Sequence, residues 1–219
     1  STLMRSSAAS DVYKRQEQKR GDLTMKRWTG ILLAAALSIA CCACSMQKPE
    51  LSVAPSSFSR ETTEVLRPFQ SELQFVDLNL NEDAKQWKIS LWSYRDGEWK
   101  EQGKMFEKVK QKSESLRIAI RLTTKECDLY LIDENGFSKA SYSSIGTGFE
   151  QTQTVIDQRI EQKTPFAIGE EVTLWAKLGV DGQQVEAGDL TKDFRNFPCT
   201  AGAAVTVTIS DEEPPEQQE

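Results

Sequence analysis

The chain of 219 residues carries 27 Lys and Arg against 33 Asp and Glu, and it contains no histidine. The lack of imidazole removes Ser-His-Asp and Cys-His catalytic arrangements, His-Glu-x-x-His metalloproteases and the usual imidazole metal sites, so an enzyme here would have to work with carboxylates, Lys or Tyr. Seven of the basic residues and three of the acidic ones precede Ser45, leaving a net charge of −10 on the rest. That charge repels phosphate polymers and anionic headgroups and argues against nucleic acid as a partner.

The first element along the chain is an export signal. Met25 is followed by the basic pair Lys26-Arg27, an apolar run from Gly30 to Ile39, and small residues from Ala40, which is the order of a secretory signal with an apolar core of about 7–15 residues. Upstream, SSAASDVYKRQ (Ser6–Gln16) resembles translated sequencing-adaptor sequence, and Lys19–Asp22 is encodable by a purine-rich run similar to a ribosome-binding site. Residues 1–24 are therefore expected to precede the true start, with 25–44 as the signal.

Three cysteines, Cys41, Cys42 and Cys44, close the apolar run. A zinc site would need a second half with its own ligands. A plain transmembrane anchor needs about 20 strongly apolar residues, whereas Trp28–Met46 is diluted by Thr, Gly, Ser and five alanines. Simple cleavage would leave the thiols without a purpose. The stretch resembles the lipobox of bacterial lipoproteins, in which an apolar and a small residue precede a cysteine that is diacylated and becomes the mature N-terminus. Leu37-Ser38-Ile39-Ala40 precede Cys41 and Ala43 precedes Cys44, so the resemblance implies a lipid on one of Cys41 and Cys44. Two acyl chains, at about 0.8 kcal/mol per buried CH₂, anchor stably where one is marginal.

Residues 45–68 are rich in Ser, Thr and Pro and read as an extended tether. Period-2 alternation then marks half-buried strands. LQFVDLNL (73–80) and WKISLWSY (87–94) come first, followed by SLRIAIRL, with Leu116, Ile118, Ile120 and Leu122 on one face. CDLYLID (127–133) is apolar at both parities, which predicts a central strand covered on both faces. VTLWAKL predicts Val172, Leu174, Ala176 and Leu178 inward, and AVTVTI predicts Val205, Val207 and Ile209 inward. MFEKVKQK (105–112) and TVIDQRIEQK (154–163) fit either period. LTKDFRNFP places Leu190, Phe194 and Phe197 at helical spacing between Thr191 and Pro198, a turn or two of helix.

Turn dipeptides Asp96-Gly97, Asn135-Gly136 and Asp181-Gly182 supply the φ > 0 positions of tight hairpins, and links that short force antiparallel pairing. The expected fold is an all-β antiparallel β-sandwich over residues 69–210 with a short helical cap. The acidic tail, 211–219, has no apolar residue to bury and is expected to be disordered.

Several constellations in this domain bear on chemistry. The hairpin around Asp96-Gly97 puts Tyr94 opposite Trp99 with Trp92 diagonal to both, while Trp87, Ile89 and Leu91 take the core side. Trp92, Tyr94 and Trp99 are thus either an open platform for sugar rings or an apolar cluster covered by another element, since large exposed apolar patches are uncommon. SSIGTGFE (143–150) could line a ligand loop but lacks the third glycine or Gly-Lys-Ser/Thr ending of a phosphate loop. The carboxylates of DENG (133–136) and DGQQVEAGD (181–189) lack the spaced pattern of a Ca²⁺ loop, and no metal is expected. Cys127 and Cys199 either form a disulfide or are two unpaired small residues.

The expected function is a lipid-anchored, extracytoplasmic, non-enzymatic binding or envelope-associated module without a cofactor. Its partners would be the membrane, through the lipid, and a glycan or envelope protein. Carbohydrate capture by the aromatic face and a carboxylate-dependent hydrolase are the alternatives.

Overall fold

The computed structural model describes residues 50–109, 115–133, 136–146, 148–182 and 188–213. Cys41, Cys44 and the rest of residues 1–49 lie outside the described residues, as do 214–219 of the acidic tail. The strands are β1 (Ser52–Pro55), β2 (Leu73–Asn79), β3 (Gln86–Arg95), β4 (Glu98–Lys108), β5 (Ser115–Leu122), β6 (Glu126–Asp133), β7 (Gly136–Ser143), β8 (Thr154–Arg159), β9 (Thr164–Pro165), β10 (Glu171–Val180) and β11 (Ala201–Ser210). Two short helices join them, α1 (Arg60–Leu66) and α2 (Leu190–Asp193). Among the described residues no helix is long and apolar enough to cross a membrane.

The strands form two antiparallel sheets: sheet A in the order β7-β6-β5-β2-β1-β9, and sheet B in the order β4-β3-β11-β10-β8. The fold is an all-β sandwich, as the alternation predicts. Between the layers Leu78, Ile118, Ile120, Leu122 and Leu129 of sheet A meet Ile89, Leu91, Leu174, Val205 and Val207 of sheet B, all fully buried. Each such side chain contributes about 1.5–3 kcal/mol relative to exposure, and this core holds the layers together.

Strand β10 departs from the expected pattern. Its register against β11 slips between Thr173 and Trp175, a β-bulge that puts an extra residue in one strand and reverses the facing of everything beyond it. Val172, Leu174 and Trp175 join the main core. Ala176 and Leu178, predicted to point inward, instead point out of the sandwich into a second apolar cluster with Leu190, Phe194 and Ala204. Strict alternation is blind to a bulge, because the apolar residue on each side of it still reads as in phase.

The domain also begins earlier than the composition indicates. β1 pairs with β2 from Ser52↔Asn79 to Pro55↔Val76, with Leu51 and Val53 buried, so residues 51–55 belong to the sheet rather than to a tether. Ser59 then caps α1, its Oγ accepting from the Thr62 amide at 3.3 Å. The segment reads as polar because a short strand beside the sheet edge and an exposed helix need few apolar residues. β6 is not central either: it lies one strand from the edge, and Tyr130 on its outer face is half-exposed. Of the two ambiguous stretches, 105–108 belong to β4 and 154–159 to β8; residues 110–112 lie outside the described residues. α2 starts at Asp189, whose carboxylate accepts from the Thr191 amide at 3.1 Å, rather than at Thr191. Gly136 pairs with Asp133 as the first residue of β7, and residues 134 and 135 lie outside the described residues.

The glycine-bearing stretch 143–150 plugs one end of the sandwich, with Ile145 and Phe149 buried; Thr147 lies outside the described residues. Gly146 sits so close to β6 that a Cβ there would lie 2.2 Å from the Thr124 carbonyl oxygen and 2.4 Å from the Phe149 ring. Backbone cannot yield as a side-chain tip can. Gly146→Ala is therefore expected to destabilise the fold by about 1–3 kcal/mol, measured by urea denaturation; an unchanged midpoint would show that this end of the sandwich is loosely packed.

Candidate functional site

The hairpin forms as its sequence requires: Asp96 and Gly97 have φ of 56° and 85°, Arg95 pairs with Glu98, and Tyr94 pairs with Trp99. Trp92, Tyr94 and Trp99 do come together, on the outer face of sheet B. That face is not open. The Phe194 ring stands edge-on to Trp99 at 4.6 Å, and the Arg195 guanidinium lies 4.2 Å over Trp92. Beneath Trp99, a Cβ on Gly202 would come within 2.5 Å of the ring. The Trp92 indole donates to Thr206 Oγ1 at 3.0 Å, and that hydroxyl donates to Glu171 at 2.8 Å. Arg195 closes the ring of contacts on Glu171 at 2.5 and 3.1 Å. Trp92 and Trp99 are thus the wall of the second core, roofed by α2 and the residues after it, and Tyr94 stands beside Trp99 at 5.6 Å.

Cys199 packs against this second cluster, on the outer side of sheet B, whereas Cys127 is fully buried on β6 in the main core. Both thiols are free, so of the two alternatives the structure has the unpaired one: sheet B separates them. Burial pushes both thiol pKa values up, Cys199 to about 11.

Among the described residues no group of three Cys, Asp or Glu side chains could hold a metal ion; residues 183–187 of the acidic loop lie outside the described residues. The stretch after β7 lines a recess of about 280 Å³, which Glu126 and Glu150 line together with a single cation, Lys125, so a phosphate would meet more negative than positive charge.

The most enclosed carboxylates are all held by cations. Burial pushes Asp157 up, but Arg159 and Lys177 outweigh it and keep the acid below its ordinary range. Asp157 also accepts from the Trp175 indole at 2.8 Å, with Arg159 stacked 3.8 Å over that ring. Glu171 is likewise raised by burial and lowered further by Arg195 and Thr206. A hydrolytic general acid needs its pKa raised, and these shifts run the opposite way.

The surface that sequence reading missed is the outer face of sheet A. The registers place Phe75, Ala119, Tyr130 and Lys139 in one row across β2, β5, β6 and β7, beside a second row of Asp77, Arg117, Ile132 and Phe137. Phe137 is 70% exposed. Arg117 grips Asp77 at 2.7 and 3.0 Å, and Asp128 is shared by Arg121 at 2.8 Å and Lys139 at 3.2 Å. The charges on this face are thus paired, with aromatic rings between them.

At the β2 side the face runs into a cleft of about 240 Å³ under α1. Phe58, Leu66, Leu73 and Phe75 form its apolar walls, the two rings meeting nearly at right angles, 5.1 Å apart. Ser56, Thr63, Gln70 and Gln74 supply its polar groups. The Gln74 amide donates to the Ile160 carbonyl at 2.9 Å, while its Oε1 is buried without a protein partner. α1 buries no side chain of its own, so its place above the cleft rests on the Ser59 cap and the 3₁₀ turn Arg67–Phe69 that continues it. The sequence carried no local signal for this cleft, because Phe58 and Phe75 are far apart in the chain and Phe58 lay in the supposed tether.

Set against protein-family models, curated proteins and solved structures, the chain has no significant match.

Two outcomes follow. In a chain with Cys41, Cys42 and Cys44 changed to Ala, denaturation without reductant is expected to release two titratable thiols; none would mean that Cys127 and Cys199 are bridged. The folded carboxylates Asp77, Asp128, Asp157 and Glu171 all have lowered pKa values, so the unfolded chain takes up protons first as pH falls. The stability they contribute is complete above the unfolded carboxylate range and is lost below about pH 4. Thermal melts from pH 7 to pH 3 are expected to show a falling midpoint, and a flat profile would contradict the pairing.

Proposed function

We propose that this chain is a lipid-anchored, extracytoplasmic β-sandwich that acts as a non-enzymatic binding module, with the α1–β2 cleft and the adjoining face of sheet A as its binding surface. The observation that carries the reading is the cleft itself. It is concave, walled by two aromatic rings and two leucines, and edged by hydroxyls and amides, the mixture of apolar wall and few polar groups that ligand sites share.

The anchor rests on the sequence: a basic pair, a short apolar run and a cysteine cluster at its end. An acidic body gains nothing from anionic headgroups, so the fatty chains would do the holding, and the binding surface would face whatever lies outside the cell.

Feeding cells an alkyne-tagged fatty acid and measuring the mass of the mature N-terminal peptide tests the anchor. Label is expected on Cys41 or Cys44, and it is lost when both are changed to Ala. An unmodified N-terminus at Met25 would overturn the anchored part of the reading.

A further inference from the structure

Resting on that binding reading, we infer that the cleft takes an uncharged, hydroxyl-rich ring: one hexose unit of a neutral glycan, whose chain continues along the Phe75–Ala119–Tyr130 row.

Charge is the first argument. Every side chain lining the cleft is uncharged, on a body whose net charge from Ser45 onward is −10. An ion placed there would lose water without gaining a counter-ion. Arg117 lies 5.0 Å over the Phe58 ring and is already spent on both oxygens of Asp77, and Arg159, which reaches the Gln70 carbonyl, is held by Asp157. Anionic and cationic ligands are both disfavoured.

Size and hydrogen bonding narrow the class further. About 240 Å³ is below the roughly 300–1,000 Å³ of sites that take drug-sized ligands, so the space suits a single ring rather than a peptide helix. Hydroxyls and amides both donate and accept, as sugar hydroxyls do. The perpendicular Phe58 and Phe75 rings offer apolar faces to the C–H side of a pyranose.

The neighbouring row explains why a chain, not a lone sugar, is the ligand. Phe75 and Tyr130 sit two strands apart in register, with the small, buried Ala119 between them. At about 4.7–4.9 Å per strand that spaces the two aromatic positions by roughly 10 Å, so a chain that enters the cleft beside Phe75 meets Tyr130 further along the face. The Trp92 face has no such opening, because Phe194 and Arg195 roof it.

The test uses the full chain in detergent and calorimetric titration with neutral gluco-, manno-, galacto- and xylo-hexasaccharides, a uronate hexamer, a random peptide pool and neutral phospholipid vesicles. At least one neutral hexasaccharide is expected to bind. Leu66→Asp puts a charge in the cleft from a helix that buries nothing, and it is expected to weaken binding by about tenfold or more with an unchanged melting temperature. Phe75→Ala should weaken it similarly, and Trp92→Ala should leave it intact. Neutral-glycan binding that survives both cleft variants would overturn the site. Uronate, peptide or vesicle binding abolished by Leu66→Asp would overturn the neutral-sugar class and leave the binding module standing. No binding by any probe would overturn both.

Discussion

The bulge in β10 is the constraint from which the rest of the molecule follows. One extra residue between Thr173 and Trp175 turns Trp175 and Lys177 toward the other layer and Ala176 and Leu178 away from it. Without the slip the outer face of sheet B would carry Trp175 and a lysine. With it, that face carries apolar side chains that must be covered, and α2 with Phe194 does so. Trp92 and Trp99 from the β3–β4 hairpin are recruited into the same cover, so the reversal in β10 decides the fate of residues that are distant in sequence.

The inward turn of Lys177 sets a second requirement. A lysine only 8% exposed needs a counter-charge, and Asp157 on the neighbouring strand supplies it. Arg159 joins the same carboxylate at 3.0 Å and reaches across to the Gln70 and Ser71 carbonyls at 2.5 and 2.9 Å. The sandwich is thus stitched at its β8 edge by charge and hydrogen bonds where apolar packing ends. Removing one member would leave another buried and unpaired, which costs more than the intact cluster contributes.

Much of this architecture was legible in the sequence. Leu116, Ile118, Ile120 and Leu122 alternate cleanly, and their strand and its core face are where periodicity places them. Asp96-Gly97 specifies its turn and with it the Tyr94↔Trp99 pairing. What was not legible depends on tertiary context. A bulge leaves no mark in a two-residue period, and Val53 is a single buried valine in a polar run. The candidate surface was the least visible part, because its two rows are assembled from four strands and each contributes only one residue to a row. Whether the Trp92 face stays open depended on where residues 190–197 fold back, which local pattern does not encode.

α1 stands apart from all of this, since it contributes no buried side chain to a structure that elsewhere packs tightly. A surface segment outside the core accepts amino-acid replacement with little penalty to the fold. The wall it forms can therefore be reshaped by mutation, over about two turns of helix, while the sandwich beneath stays constant.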